Sequence, residues 1–253
     1  MDLGLADRVY VLTGASRGLG YAAAACLVAD GANVVISGRN ESTVDTAVDT
    51  LGPERAVGVV ADLGDEYAPD RLVALALQRF GRLDGALVSV GGPPHGTALS
   101  ISDDQWLESF QTVFVGAVRM ARTVVEALPA EGGALAFVLS SSARSPIAGL
   151  GISNGLRPGL AGVAKDMADE LGPRNIRVVS LLPHRILTDR NRDLFAATGD
   201  AAKAEAEAAA AIPLRRIGHP EEFGRVAAFV LSPAASYLTG LTLPIDGGGI
   251  RGL

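Results

Sequence analysis

The chain has 253 residues, 48% hydrophobic and 20% charged, which gives it enough apolar surface for one large packed domain and excludes disorder as its main state. A formal charge of -6 with no visible basic patch argues against nucleic acid or anionic lipid as partners. The single cysteine, Cys26 in AAAACLVA, excludes an internal disulfide and a cysteine-rich metal site and reads as a buried, inert thiol. No uncharged apolar stretch approaches the roughly 20 residues that span a bilayer, and the first residues carry acids and no small-residue cleavage site, so a cytoplasmic protein with no membrane partner and no bound metal is expected.

In chain order the sequence alternates short β-branched runs with helical patterns. A strand over 8–13 is followed by a helix over 20–31, then a strand over 33–38, a helix over 41–52, a strand over 56–62 and a helix over 68–81. Next come a strand over 84–90, one long helix over 103–128, a strand over 134–142, a helix through 159–172, and strands over 176–183 and 241–246. The strand runs lack polar alternation, so both faces are buried, as in a parallel sheet covered by helices. The expected fold is α/β, a Rossmann-type doubly wound sheet of seven strands with about six helices, in a single domain. One segment breaks the rhythm: ten of the sixteen positions in 196–211 are alanine. Alanine favours a helix but anchors it weakly, so residues 189–213 read as a mobile flap over a cleft.

The first strand runs into Thr13-Gly14-Ala15-Ser16-Arg17-Gly18-Leu19-Gly20, after which the first helical pattern begins. Strand, glycine turn and helix form a dinucleotide site, because the backbone approaches a pyrophosphate closely and free amides at the helix start stabilise its charge. The second strand ends in Ser37-Gly38-Arg39, where an acidic residue would favour NAD and arginine favours a 2′-phosphate. Arg17 can close on the same phosphate, so NADP(H) is expected over NAD(H).

The spacing G-x-x-x-G-x-G with its Thr and Ser-Arg resembles the short-chain dehydrogenase/reductase family. The tail agrees: Arg216-Ile-Gly-His-Pro-Glu-Glu-Phe, then Val230-Leu-Ser-Pro and Pro244-Ile-Asp246-Gly-Gly, resembles bacterial 3-oxoacyl-acyl-carrier-protein reductases. The resemblance implies an oxidoreductase acting on a small carbonyl or alcohol substrate, and a homotetramer or homodimer built partly on the long helix. It implies cofactor contacts at Gly14, Ser16, Arg17, Gly18, Leu19, Gly20, Arg39, Asp62, Leu63, Ser89, Gly91, Arg157, Pro183 and Thr188, with Asp62 on the adenine amino group and Thr188 on the carboxamide.

The catalytic half departs from the family. Ser89-Val90-Gly91-Gly92 stands where Asn-Asn-Ala-Gly is usual, and Val113, seven positions after Trp106, replaces an asparagine that holds a relay water. The family serine is Ser140 or Ser141. The usual Tyr-x-x-x-Lys becomes Ser153 and Arg157, an i, i+4 pair that still shares a helix face. Tyrosine with a reference pKa of about 10 can be tuned to exchange protons, whereas serine titrates too high and arginine stays charged. His184, at the usual Pro-Gly, and His95, in GGPPHG, are the titratable replacements. Such a divergent branch leaves two expectations open: an NADP(H)-dependent oxidoreductase with atypical catalytic residues, or a nucleotide-binding protein that has lost turnover and serves a structural or regulatory role.

Overall fold

The computed structural model describes residues 2–252. Seven strands, β1 (Val9–Leu12), β2 (Asn33–Gly38), β3 (Ala56–Val60), β4 (Gly85–Ser89), β5 (Gly133–Val138), β6 (Ile176–Pro183) and β7 (Leu241–Ile245), pair in parallel in the order β3-β2-β1-β4-β5-β6-β7. The order reverses direction between β1 and β4, and the crevice at their carboxyl ends is where open sheets of this kind bind ligands.

Alternate residues of each strand feed two separate cores. Tyr10 and Leu12 of β1 join one face, with α1 (Gly18–Ala29), α2 (Glu41–Leu51) and α9 (Pro220–Leu231). Val9 and Val11 join the other, with α3 (Ala68–Phe80), α5 (Gly116–Ala127) and α6 (Gly151–Leu171). This two-sided burial is why the strands read as continuous apolar runs. The α/β domain, one parallel sheet of seven strands covered by helices on both faces, is therefore as expected. Among the described residues no helix is long and apolar enough to cross a membrane.

Three expectations need correction. The long helix is interrupted: α4 (Asp103–Ser109), opened by a capping box between Ser102 and Gln105, passes into a π turn over Phe110–Val115 before α5. The alanine-rich stretch is not one helix but the end of α7 (Asp189–Ala196) and α8 (Ala201–Ala210), because the Asp200 carboxylate accepts from Lys203 N and starts a new helix. These two breaks, together with α9 (Pro220–Leu231), which the periodicity did not mark, bring the described chain to nine α-helices rather than about six. Cys26 is half-buried rather than fully enclosed, and burial pushes its thiol pKa up.

Candidate active site

The ends of β1 and β4 are stitched side by side. Thr13 Oγ1 donates to Ser89 O at 2.8 Å and accepts from Ser89 N at 2.9 Å. Gly14, at φ 58°, turns the chain beside Ser89, and Gly18, at φ 61°, turns it into α1. Both angles favour glycine. A β-carbon at Gly20 would lie 2.6 Å from Gly14 O, so the loop folds tightly onto the first turn of the helix. Arg17 provides no side-chain cap and the first turn holds no acid, which leaves the α1 amides directed at the crevice. Across that crevice Thr188 Cγ2 is 3.8 Å from where a β-carbon of Gly18 would sit, while Gly91 faces open space. These residues form a cradle that fits a dinucleotide pyrophosphate. Beside the carboxyl end of β2, Ser16 Oγ accepts from Thr43 Oγ1 at 3.3 Å and packs on Gly38. Arg17 and Arg39 are exposed beside it, Leu63 is buried, and Arg39 Nη1 is 3.9 Å from Asp62 Oδ2.

The other half of the crevice is built by β5, β6 and α6. Ser140 Oγ accepts from Ser142 N at 3.1 Å and turns the chain out of β5. The next two serines then point to different partners. Ser141 Oγ lies 2.8 Å from His184 Nδ1, just beyond Pro183 at the end of β6. Ser142 Oγ lies 2.8 Å from Ser153 Oγ, both buried. One turn along α6, buried Arg157 donates from Nη1 to Val138 O at 2.8 Å, while its Nε has no partner. Desolvation, then the charge of Arg190, pushes the Arg157 pKa down to about 10, which leaves it a cation at neutral pH. Burial and then Arg185 lower the His184 pKa, against an opposing pull from Asp246. Val113 packs into a dry cluster with Ile101, Ile152 and Leu156.

The profile described as "Enoyl-(Acyl carrier protein) reductase" matches residues 14–249. Human "Dehydrogenase/reductase SDR family member 4" is 35% identical over 249 residues, covering 96% of this chain and 88% of that protein. The chain belongs to the short-chain dehydrogenase/reductase family. Among solved members, L-sorbose reductase from Gluconobacter frateurii, complexed with NADPH and L-sorbose, has a TM-score of 0.96 at 28% identity, with 100% of each chain covered. A family protein from Brucella melitensis, described as a glucose/ribitol dehydrogenase, has a TM-score of 0.91 at 28% identity and covers 99% of each chain.

In this short-chain dehydrogenase/reductase the sequence-named residues Ser140, Ser141, Ser153, Arg157 and His184 converge at one crevice. His95 stands apart on an exposed loop, where its Nε2 is 3.5 Å from Arg190 Nη2. Sequence reading missed two residues. Ser142 was hidden as the third of three serines, and Arg190 sits in Asp-Arg-Asn-Arg-Asp, a charged run with no motif to single it out. Of the clustered side chains the imidazole of His184 is the one suited to exchange a proton, from a pKa that burial and Arg185 lower; the serine hydroxyls can orient and Arg157 can polarise.

Proposed function

We propose that this family member is an NADP(H)-dependent oxidoreductase that interconverts a carbonyl and an alcohol, with His184 as the proton-exchanging side chain. The observation that carries the reading is the 2.8 Å contact between Ser141 Oγ and His184 Nδ1 at the carboxyl edge of β5 and β6. A serine hydroxyl donating to Nδ1 fixes the tautomer and directs the second ring nitrogen away from the serine. The NADPH complex of L-sorbose reductase supports the cofactor, as do the α1 cradle and the two exposed arginines.

A nicotinamide held in the crevice supplies or accepts hydride. Gly14, Gly18, Leu19, Gly20 and Thr188 would hold the pyrophosphate and carboxamide end, with Ser89, Gly91 and Pro183 beneath it. Ser16, Arg17 and Arg39 would take the 2′-phosphate, and Asp62 and Leu63 the adenine. Arg157, whose Nε retains an unused donor, would bind a ribose hydroxyl and hold positive charge near the reacting oxygen. Ser140 would polarise that oxygen, and protonated His184 would pass its Nδ1 proton to Ser141 Oγ as the Ser141 hydroxyl proton moves to the forming alkoxide. Residues 189–213 close over the crevice; α8 has no buried residue, and its Ala204, Ala208 and Ala209 pack on a small cluster of Phe195, Ile212 and Ile217. A cytoplasmic homotetramer or homodimer completes the proposal, supported by Leu107 and Phe110 exposed on the long helix.

A second reading, nucleotide binding without turnover, is favoured by one contact. Ser142 and Ser153 satisfy each other, so the side chain at position 153 is not free to serve a substrate. The test is stoichiometric NADPH binding followed by a carbonyl panel that begins with 3-oxo esters and thioesters, as the tail resemblance suggests. Turnover that His184→Ala abolishes supports the first reading; NADPH binding with no consumption across the panel supports the second.

A further inference from the structure

Arg190, the second residue of α7, reaches from the flap across the mouth of the crevice. Its guanidinium lies on the turn after β4. A β-carbon at Gly92 would coincide with Arg190 Nη1, so any larger residue there would push the guanidinium out of this place. Nη2 is 3.5 Å from His95 Nε2 on the same loop. Arg157 is close enough behind for its ionisation to feel the Arg190 charge. Arg190 of α7 and His95 of the β4 loop thus meet, with Arg157 of α6 behind them. Among the described residues no carboxylate forms an ion pair with either arginine, not even Asp189 and Asp193 on α7 itself. Arg190 and His95 are exposed at the mouth while Arg157 is buried behind them, and a planar guanidinium beside an imidazole offers several donors to an anion.

We infer that Arg190 and His95 receive a carboxylate on the substrate, so the preferred substrates are oxo acids or their hydroxy-acid counterparts. The inference rests on the oxidoreductase reading. The dinucleotide phosphates have their own partners at α1, Arg17 and Arg39, on the β1 and β2 side. The His95 loop is tied to the opposite flank: Gly96 N donates to Gly149 O at 2.9 Å, and Gly151 N donates to Gly96 O at 2.8 Å, immediately before Ser153 and Arg157 on α6. An anion at Arg190 and His95 therefore sits on the flank that holds Ser153 and Arg157.

The test uses the full chain with NADPH and a panel of 2-, 3-, 4- and 5-oxo acids, each beside its methyl ester. Turnover is followed by NADPH absorbance, and binding by quenching of NADPH fluorescence. The best acid should exceed its ester by roughly tenfold to a hundredfold in kcat/KM or Kd, as expected for charge-assisted hydrogen bonds. Arg190→Gln should collapse that ratio toward one, and Gly92→Ala, which takes the space of Nη1, should do the same. Acids and esters performing alike would overturn the inference while leaving the oxidoreductase reading in place. An Arg190→Gln variant that keeps the ratio but weakens NADPH would assign the anion to the cofactor and also overturn it. Failure of the unmodified chain to bind NADPH would remove both.

Discussion

Replacing His184 by alanine tests the chemistry most directly, because the pKa of its imidazole has a determinate direction. The ordinary value for histidine is about 6.5. Burial and Arg185 lower it, and Asp246 only partly offsets them. Carbonyl reduction requires the imidazolium, so its rate should fall as pH rises through a value below 6.5, while alcohol oxidation should rise through the same value. Ser141→Ala removes the hydroxyl in hydrogen-bond contact with Nδ1, which favours the neutral ring in the tautomer where the hydroxyl is the donor. Such a bond contributes about 0.5–1.5 kcal/mol net and a pH unit corresponds to about 1.36 kcal/mol, so the midpoint should move upward by about 0.4–1.1 units. His184→Ala should reduce kcat by roughly 10²- to 10⁴-fold, with little effect on NADPH affinity. Stability follows the same sign: the unfolded imidazole binds its proton first, so folding free energy is lost as pH falls from about 6.5 to the lowered value, and His184→Ala should flatten that loss in urea melts. A rate that is flat from pH 5 to 9 and unchanged in His184→Ala would refute the reasoning.

Arg39→Asp should reverse cofactor preference: NADPH should bind about tenfold to a hundredfold more tightly than NADH to the unmodified chain, the scale of a charged hydrogen bond, with fluorescence titration as the measurement. Equal affinities before the substitution would defeat the arginine argument. In hydrogen exchange α8 should be among the least protected helices without ligand, because none of its residues is buried, and ligand should slow it. Gly20→Ala should destabilise by about 1–3 kcal/mol through overpacking, since the new methyl group meets Gly14 O at 2.6 Å and Ala15 Cα at 2.8 Å; an unchanged Tm would show that the loop relaxes freely.

The parts of this molecule that were legible in the sequence are those fixed by local patterns. Tyr10 and Leu12 face one core and Val9 and Val11 the other, which is why an uninterrupted apolar run already implied a sheet covered on both sides. The glycine loop was equally local, since turn, close approach and helix start lie within Gly14 to Gly20. The π turn was not visible, because Phe-Gln-Thr-Val-Phe-Val contains no proline or glycine and is a good helical pattern. Nor were the polar contacts, which join residues 43 positions apart at Ser141 and His184 and 95 apart at His95 and Arg190. Periodicity carries no information about such pairs. The break before α8 was legible in principle, in Gly199-Asp200, but was outweighed by the alanines around it.

On the proposed oxidoreductase reading, the residues around Val113, Ser153 and His184 form a coupled set that favours a proton path through His184. A relay through Val113 and position 153 needs water and a titratable group. Val113 packs among Ile101, Ile152 and Leu156, Ser153 is occupied by Ser142, and Arg157 is held by Val138 O, so no side chain on that flank is suited to exchange protons near neutrality. On the other side of β5, successive serines diverge, and Ser141 turns toward β6, where a histidine stands. A glycine at 184 would leave the Ser141 hydroxyl buried without that partner, and a tyrosine at 153 would have to displace the Ser142 bond. Restoring either family residue alone should therefore impair the protein rather than improve it. Ser153→Tyr is expected to lower both turnover and Tm, and a variant that gained activity would show that the tyrosine position had remained open.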